Sequence, residues 1–142
     1  MEPQDKVVLI VDDEADIRNF LADLLGECGY RCSWAENGRT ALAQVDALRP
    51  DLVLLDIMMP GMSGIEVLRQ IRERTDLDPA VVMISCLSHP NTTLRALDEG
   101  ADHFVMKPFR VAELTETVRH ALEVREAGRA RNRQAAQLQP GA

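Results

Sequence analysis

Short apolar runs alternate with amphipathic stretches five times along this chain. The runs Val7 to Val11, Arg31 to Trp34, Leu52 to Leu55, Val81 to Ser85 and His103 to Met106 predict strands. The third, four branched or long apolar residues in a row, predicts a strand buried on both faces. After the first run the spacing becomes helical: Ile17, Phe20, Leu21, Leu24 and Leu25 fall on one helix face, and Gly29 follows as a C-terminal stop. Ala41, Leu42, Val45 and Leu48 predict a second helix closed by Pro50. Ser63 with Glu66 three residues on predicts the start of a third, burying Val67, Leu68 and Ile71. A short fourth helix spans Asn91 to Glu99, ending at Gly100, and a fifth starts near Val111 and buries Leu114, Val118 and Leu122. Strand–helix alternation of this kind predicts an α/β fold, a doubly wound five-stranded parallel sheet.

At 142 residues the chain has room for one domain. Hydrophobic residues make up 46% and charged residues 27%, which suits a globular core rather than disorder. No apolar run is long enough to span a membrane, and "MEPQDK" is polar and acidic, unlike a secretory signal, so a cytoplasmic address and no membrane partner are expected. The net charge of −7 argues against direct nucleic-acid binding by this domain. Cys28, Cys32 and Cys86 are odd in number and not spaced as CxxC, so reduced, mostly packed thiols are expected. Arg125, Arg129, Arg131 and Arg133 cluster after the acidic body, which divides the chain into a globular domain, 1–124, and a basic helical extension or linker tail, 125–142.

The chemistry gathers where the strands end. Parallel strands share one C-terminal edge, where ligands of doubly wound folds bind. There the first strand delivers Asp12 and Asp13, the third Asp56, the fourth Ser85 and the fifth Lys107. Singly, each has an ordinary reading as a helix cap, a turn or a solvated strand end. Together they put three carboxylates, a hydroxyl and an amine on neighbouring strands. Three crowded carboxylates repel, and protonation or a bound cation relieves the repulsion. An all-oxygen donor set without His or Cys favours Mg²⁺ over zinc. A hard cation opposite an ammonium suits phosphoryl transfer, with the central acid, Asp56, as nucleophile.

From about Val7 to Glu123 the chain resembles a receiver domain of two-component response regulators. The resemblance rests on "VLIVDDE", "LVLLDIMMPGMSGIEVL", "VVMIS" and "GADHFVMKPF", in that order and spacing. It implies a flavodoxin-like (βα)5 fold with strand order 2-1-3-4-5. It also implies that Asp56 accepts a phosphoryl group from the phosphohistidine of a sensor histidine kinase or phosphotransfer protein. Mg²⁺ would be held by Asp13, Asp56 and the backbone carbonyl of Met58, with Asp12 joining through water. Lys107 would pair with the phosphoryl oxygens, and the Lys107–Pro108 peptide would be cis. Ser85 and Phe104 would act as the switch, changing the face made by the fourth helix, fifth strand and fifth helix. Such a protein is a regulator that assists its own phosphorylation and dephosphorylation rather than an enzyme. Its partners would be the kinase and a downstream protein or fused output domain, with homodimerisation through the switched face possible.

The departures from the family pattern are modest. Cys86 stands where Ala or Gly is usual, and Phe104 lacks the hydroxyl of the frequent tyrosine. Met58 and Leu87 flank the expected phosphoryl position without a polar group to orient water, so a long phosphoryl lifetime is expected. His89, His103 and His120 read as scattered surface positions and Trp34 as packing. Two rival enzymes or binders fare worse. An aspartyl phosphatase would need an acid where Met58 stands, and a flavin or dinucleotide binder lacks its phosphate cradle after the first strand. The remaining alternatives are a receiver-like interaction module that signals without phosphorylation and a receiver that is part of a larger kinase or output protein.

Overall fold

A computed structural model describes residues 5–86 and 90–138 of the chain, apart from the side chains of Ser85, Pro90, Thr93 and 132–138. Five strands alternate with five helices: β1 Val7–Val11, α1 Ala15–Glu27, β2 Arg31–Ala35, α2 Gly38–Leu48, β3 Leu52–Asp56, α3 Gly64–Glu73, β4 Ala80–Cys86, α4 Pro90–Asp98, β5 His103–Lys107 and α5 Val111–Leu138. The strands are all parallel and run in the order β2-β1-β3-β4-β5. This is the doubly wound sheet that the alternation predicted, in the flavodoxin-like order that the resemblance implied.

Strand alternation divides the core between the two faces of the sheet. Leu9, Val11, Val53, Leu55, Val81 and Met83 face the layer of α2 and α3, where Val45, Val67, Leu68 and Ile71 pack. Val8, Ile10, Leu52, Leu54, Val82 and Val105 face α1 and α5, against Leu21, Leu25, Leu114, Val118 and Leu122. All five residues of β3 are buried, as its unbroken apolar run requires.

Local signals fix most helix ends. At the end of α1, Gly29 (φ 100°) donates its N–H to the Gly26 carbonyl and Tyr30 to that of Leu25, a Schellman stop that needs the left-handed glycine. Gly100 (φ 109°) ends α4 in the same way. The Ser63 hydroxyl accepts from the Glu66 N–H at the start of α3.

Several expectations need correction. Phe20 is exposed, its ring 6.5 Å from that of Phe109, because it lies one residue, or about 100°, from Leu21 at the centre of the buried face. Leu48, in the last turn of α2, is exposed as well, just before Arg49 turns the chain with φ 48°. Cys28 and Cys86 are exposed and only Cys32 packs against the core; the described residues contain no disulfide. His103 and His120 are not scattered: their rings meet edge to face at 5.1 Å, across β5 and α5.

Helix α5 continues without a break through residue 124 to Leu138 and is tied down at the N-terminal end of the sheet. Arg125 Nε reaches Asp102 Oδ1 (2.8 Å) and its Nη1 reaches Asp78 (2.7 Å), while the buried Lys6 Nζ lies 3.6 Å from Glu126. Asp102 Oδ2 also accepts from the Val81 N–H (2.8 Å) and from Arg72 (3.0 Å), so one carboxylate joins α3, β4 and α5 just before β5.

The N-terminus of α3 approaches β3 so closely that only glycine fits at its first position. A Cβ on Gly64 would lie 2.2 Å from the Asp56 carbonyl oxygen. Gly64→Ala is expected to destabilise the domain by roughly 1–3 kcal/mol through overpacking, read as a lower urea midpoint with an unchanged m-value.

Candidate functional site

Asp56 and Lys107 are the last residues of β3 and β5, and Asp12 directly follows β1, so the parallel sheet brings them to one edge. Both chemical residues belong to their strands rather than following them, since the backbone ladder continues past the last apolar side chain. Asp56 pairs in register with Ile84, and Lys107 with Cys86. By strand alternation Asp12, Asp56 and Lys107 share the parity of Ile10, Leu54 and Val105, and so belong to the α1/α5 face.

Asp12 is 0% exposed and Asp56 5%. Lys107 Nζ stands 3.5 Å from Oδ2 of each. The other Asp56 oxygen, Oδ1, accepts the Met58 N–H (3.1 Å), and Asp12 Oδ1 accepts the Glu14 N–H (2.9 Å). Asp12 Oδ2 is buried and accepts no hydrogen bond. Asp13 is exposed, and its carboxylate forms no hydrogen bond or ion pair among the described residues. Nevertheless Asp12, Asp13 and Asp56 each offer an oxygen within 4.8 Å of the others.

Burial first, and then the neighbouring Asp12, push the pKa of Asp56 up against the opposing pull of Lys107 and the Met58 N–H, to about 6. Burial alone would lower that of Lys107, but the attraction of Asp56 and Asp12 together exceeds it and the net shift is upward. The two shifts are consistent, because one ammonium serves two acids: it gains from both, while each acid gains from it once and loses to the other.

A hard divalent cation fits this donor set. The ligands are all oxygen, one buried carboxylate oxygen is unsatisfied, and the negative charge exceeds what Lys107 neutralises. The Lys107–Pro108 peptide is cis. Phe104 is 38% exposed and lies on the face opposite Val105, paired with Met83. Ser85 pairs with Met106 in the ladder, and its side chain lies outside the described part. Met58 projects an exposed side chain beside the acids, whereas Leu87 and His89 lie outside the described residues.

The family model for the response regulator receiver domain matches residues 8–119. The chain belongs to that family. This receiver domain is 40% identical over 118 residues to the phosphate regulon transcriptional regulatory protein PhoB of Pseudomonas aeruginosa, covering 82% of this chain and 52% of PhoB. It is 38% identical over 122 residues to the DNA-binding response regulator MtrA of Mycobacterium tuberculosis, covering 86% and 53%. The chain thus spans about half the length of these curated relatives. Among solved structures, the receiver domain of NtrX from Brucella abortus superposes with a TM-score of 0.77 at 36% identity, covering 82% of this chain and 98% of that one. A longer NtrX structure gives 0.87 at 31% identity, covering 96% and 31%. The longer structure matches more of this chain than the isolated receiver does.

Reasoning from sequence overlooked one residue at this edge. Arg18 is buried in α1, and its Nη1 donates to the Asp12 carbonyl oxygen (2.9 Å). The signal was available: Arg18, Leu21 and Leu25 follow the i, i+3, i+7 spacing, which puts a charge inside the buried stripe. Trp34, expected to serve as packing, is 50% exposed with the Arg18 guanidinium 4.4 Å from its ring centroid.

The raised pKa of Asp56 has a sign that can be measured. The fold favours the protonated carboxyl, so the wild type loses stability as pH rises from the ordinary carboxylate value through about 6. In EDTA, Asp56→Asn is expected to be more stable than the wild type above pH 6, on the order of 1–2 kcal/mol after solvent screening. The difference should close towards pH 4. Adding Mg²⁺ should raise the melting midpoint of the wild type more than that of the variant.

Proposed function

We propose that Asp56 is the phosphoacceptor of this receiver domain and that the donor is the phosphohistidine of a sensor histidine kinase or phosphotransfer protein. The observation that carries the reading is the buried Asp56 carboxylate beside Lys107, with Asp12 and Asp13 alongside it on one sheet edge. In the transfer an Asp56 oxygen attacks phosphorus, the phosphorus–nitrogen bond breaks, and the imidazole leaves with the bonding pair. A new acyl phosphate remains on β3. Lys107 holds the equatorial oxygens by charge, and the rigid strand fixes the line of attack.

Asp13, Asp56 and the Met58 carbonyl would hold Mg²⁺, with Asp12 joining through water, and the bound cation would neutralise phosphoryl charge as the transfer proceeds. Lys107 and the Met58 N–H keep the carboxylate of Asp56 oriented, and burial of β3 keeps it from turning to solvent. Ser85 and Phe104 then read the modified site: the conformation that contacts the phosphoryl group better is populated, and the surface of α4, β5 and α5 changes with it. Output passes to a downstream protein or to a domain that follows in a longer chain, in the cytoplasm. The names of PhoB and MtrA describe a transcriptional regulator and a DNA-binding regulator. No helix among the described residues is long and apolar enough to cross a membrane.

Intact-mass measurement after incubation with a small phosphodonor tests the acceptor. One phosphoryl adduct is expected, dependent on Mg²⁺ and absent from Asp56→Asn. A folded, Mg²⁺-binding protein without an adduct would instead indicate an interaction module that signals unphosphorylated. Met58 and Leu87, each two positions on in the sequence from Asp56 and Ser85, are apolar and further predict slow hydrolysis. The double variant Met58→Asn, Leu87→Glu should lose its phosphoryl group several-fold faster in a mass time course, and equal decay would reject that role.

A further inference from the structure

We infer that Arg18 is a positioning residue for the divalent-cation site, holding the β1–α1 loop in its ligating shape from beneath the ring of Trp34. The inference rests on the reading of the acidic cluster as a Mg²⁺ site.

Arg18 is only 9% exposed, yet it has no carboxylate partner among the described residues. Its two contacts are the Asp12 carbonyl oxygen, 2.9 Å from Nη1, and the face of Trp34. A guanidinium so enclosed is costly unless its contacts are specific, and the tryptophan face supplies attraction without competing for its donors. Helical side chains point back towards the N-terminus, so from the first turns of α1 Arg18 reaches the loop that carries Asp12 and Asp13.

That loop has few other restraints. Glu14 occupies the N-cap of α1 but makes no side-chain capping bond. Asp12 is held at four points: its N–H donates to the Ala35 carbonyl (3.2 Å), its Oδ1 accepts from the Glu14 N–H, its Oδ2 lies 3.5 Å from Lys107 Nζ, and its carbonyl accepts from Arg18. Asp13 has no side-chain partner among the described residues, so the position of its carboxylate near Asp12 and Asp56 is set by the backbone on either side. The Asp12–Asp13 peptide begins at the carbonyl that Arg18 grips. Arg18 therefore acts on the exposed ligand through the backbone of the buried one, and Trp34 keeps the guanidinium aligned.

Simple electrostatics predicts the opposite effect of mutation. Removing a nearby cation should strengthen the binding of Mg²⁺ to three acids, whereas removing a positioning group should weaken it. Mg²⁺ alone, titrated calorimetrically into the wild-type chain, Arg18→Ala, Arg18→Lys and Trp34→Ala well below their melting midpoints, separates the two. Positioning predicts affinity about tenfold weaker for Arg18→Ala, a smaller loss for Arg18→Lys, which keeps a charged donor, and an intermediate loss for Trp34→Ala. A merely structural role would lower the melting midpoint and leave affinity unchanged. Unchanged or tighter binding in Arg18→Ala would overturn the inference. If that variant does not fold, wild-type affinity in both Arg18→Lys and Trp34→Ala would overturn it instead. Failure of the wild type itself to bind Mg²⁺ would remove the metal reading and the positioning role with it.

Discussion

The central constraint in this domain is a charge imbalance fixed in place by a hydrophobic sheet. Asp12 and Asp56 are both buried, and one ammonium, that of Lys107, stands 3.5 Å from each. Neither acid can escape to water, because β1 and β3 are held on both faces by packed side chains. Burial, and after it the charge of Asp12, push the pKa of Asp56 up, and burial leaves one Asp12 oxygen without a hydrogen-bond donor. An isolated core would gain by protonating or replacing these acids. Here the strain is kept, and it makes the edge receptive to cations.

The alternation of a strand assigns the working groups to faces. Asp12, Asp56 and Lys107 share the parity of residues packed against α1 and α5, whereas Phe104 shares that of residues on the other face. The acids with their ammonium and the Phe104 ring therefore lie on opposite sides of the sheet. Met83 and Phe104 are partners in the β4–β5 ladder, so a shift of one strand end is felt directly by the next.

Much of this was legible in the sequence because the relevant signals are short and local. Apolar runs gave the strands, the polar residues ending four of the five runs gave the edge, and Ser63, Gly29 and Gly100 marked helix ends. What escaped depends on the position of a helix relative to its neighbours. Phe20 looked apolar and therefore buried, but α1 is rotated so that Arg18, Leu21 and Leu25 face inward. The meeting of His103 with His120 requires knowing which turn of α5 lies beside the start of β5, and spacing along the chain does not carry that. Helix α5 runs on to Leu138, well past Leu114, Val118 and Leu122, the apolar positions that marked it in the sequence.

The attachment of α5 gives that helix a mechanical character. Its 28 residues form a rod about 42 Å long. Lys6 with Glu126, and Asp78 and Asp102 with Arg125, grip it slightly past the midpoint, at the sheet end remote from the acids. The near arm is bedded on the sheet through Leu114, Val118 and Leu122, so the sheet and the grip together aim the far arm, about 18 Å from Glu126 to Leu138, as a mount aims a barrel.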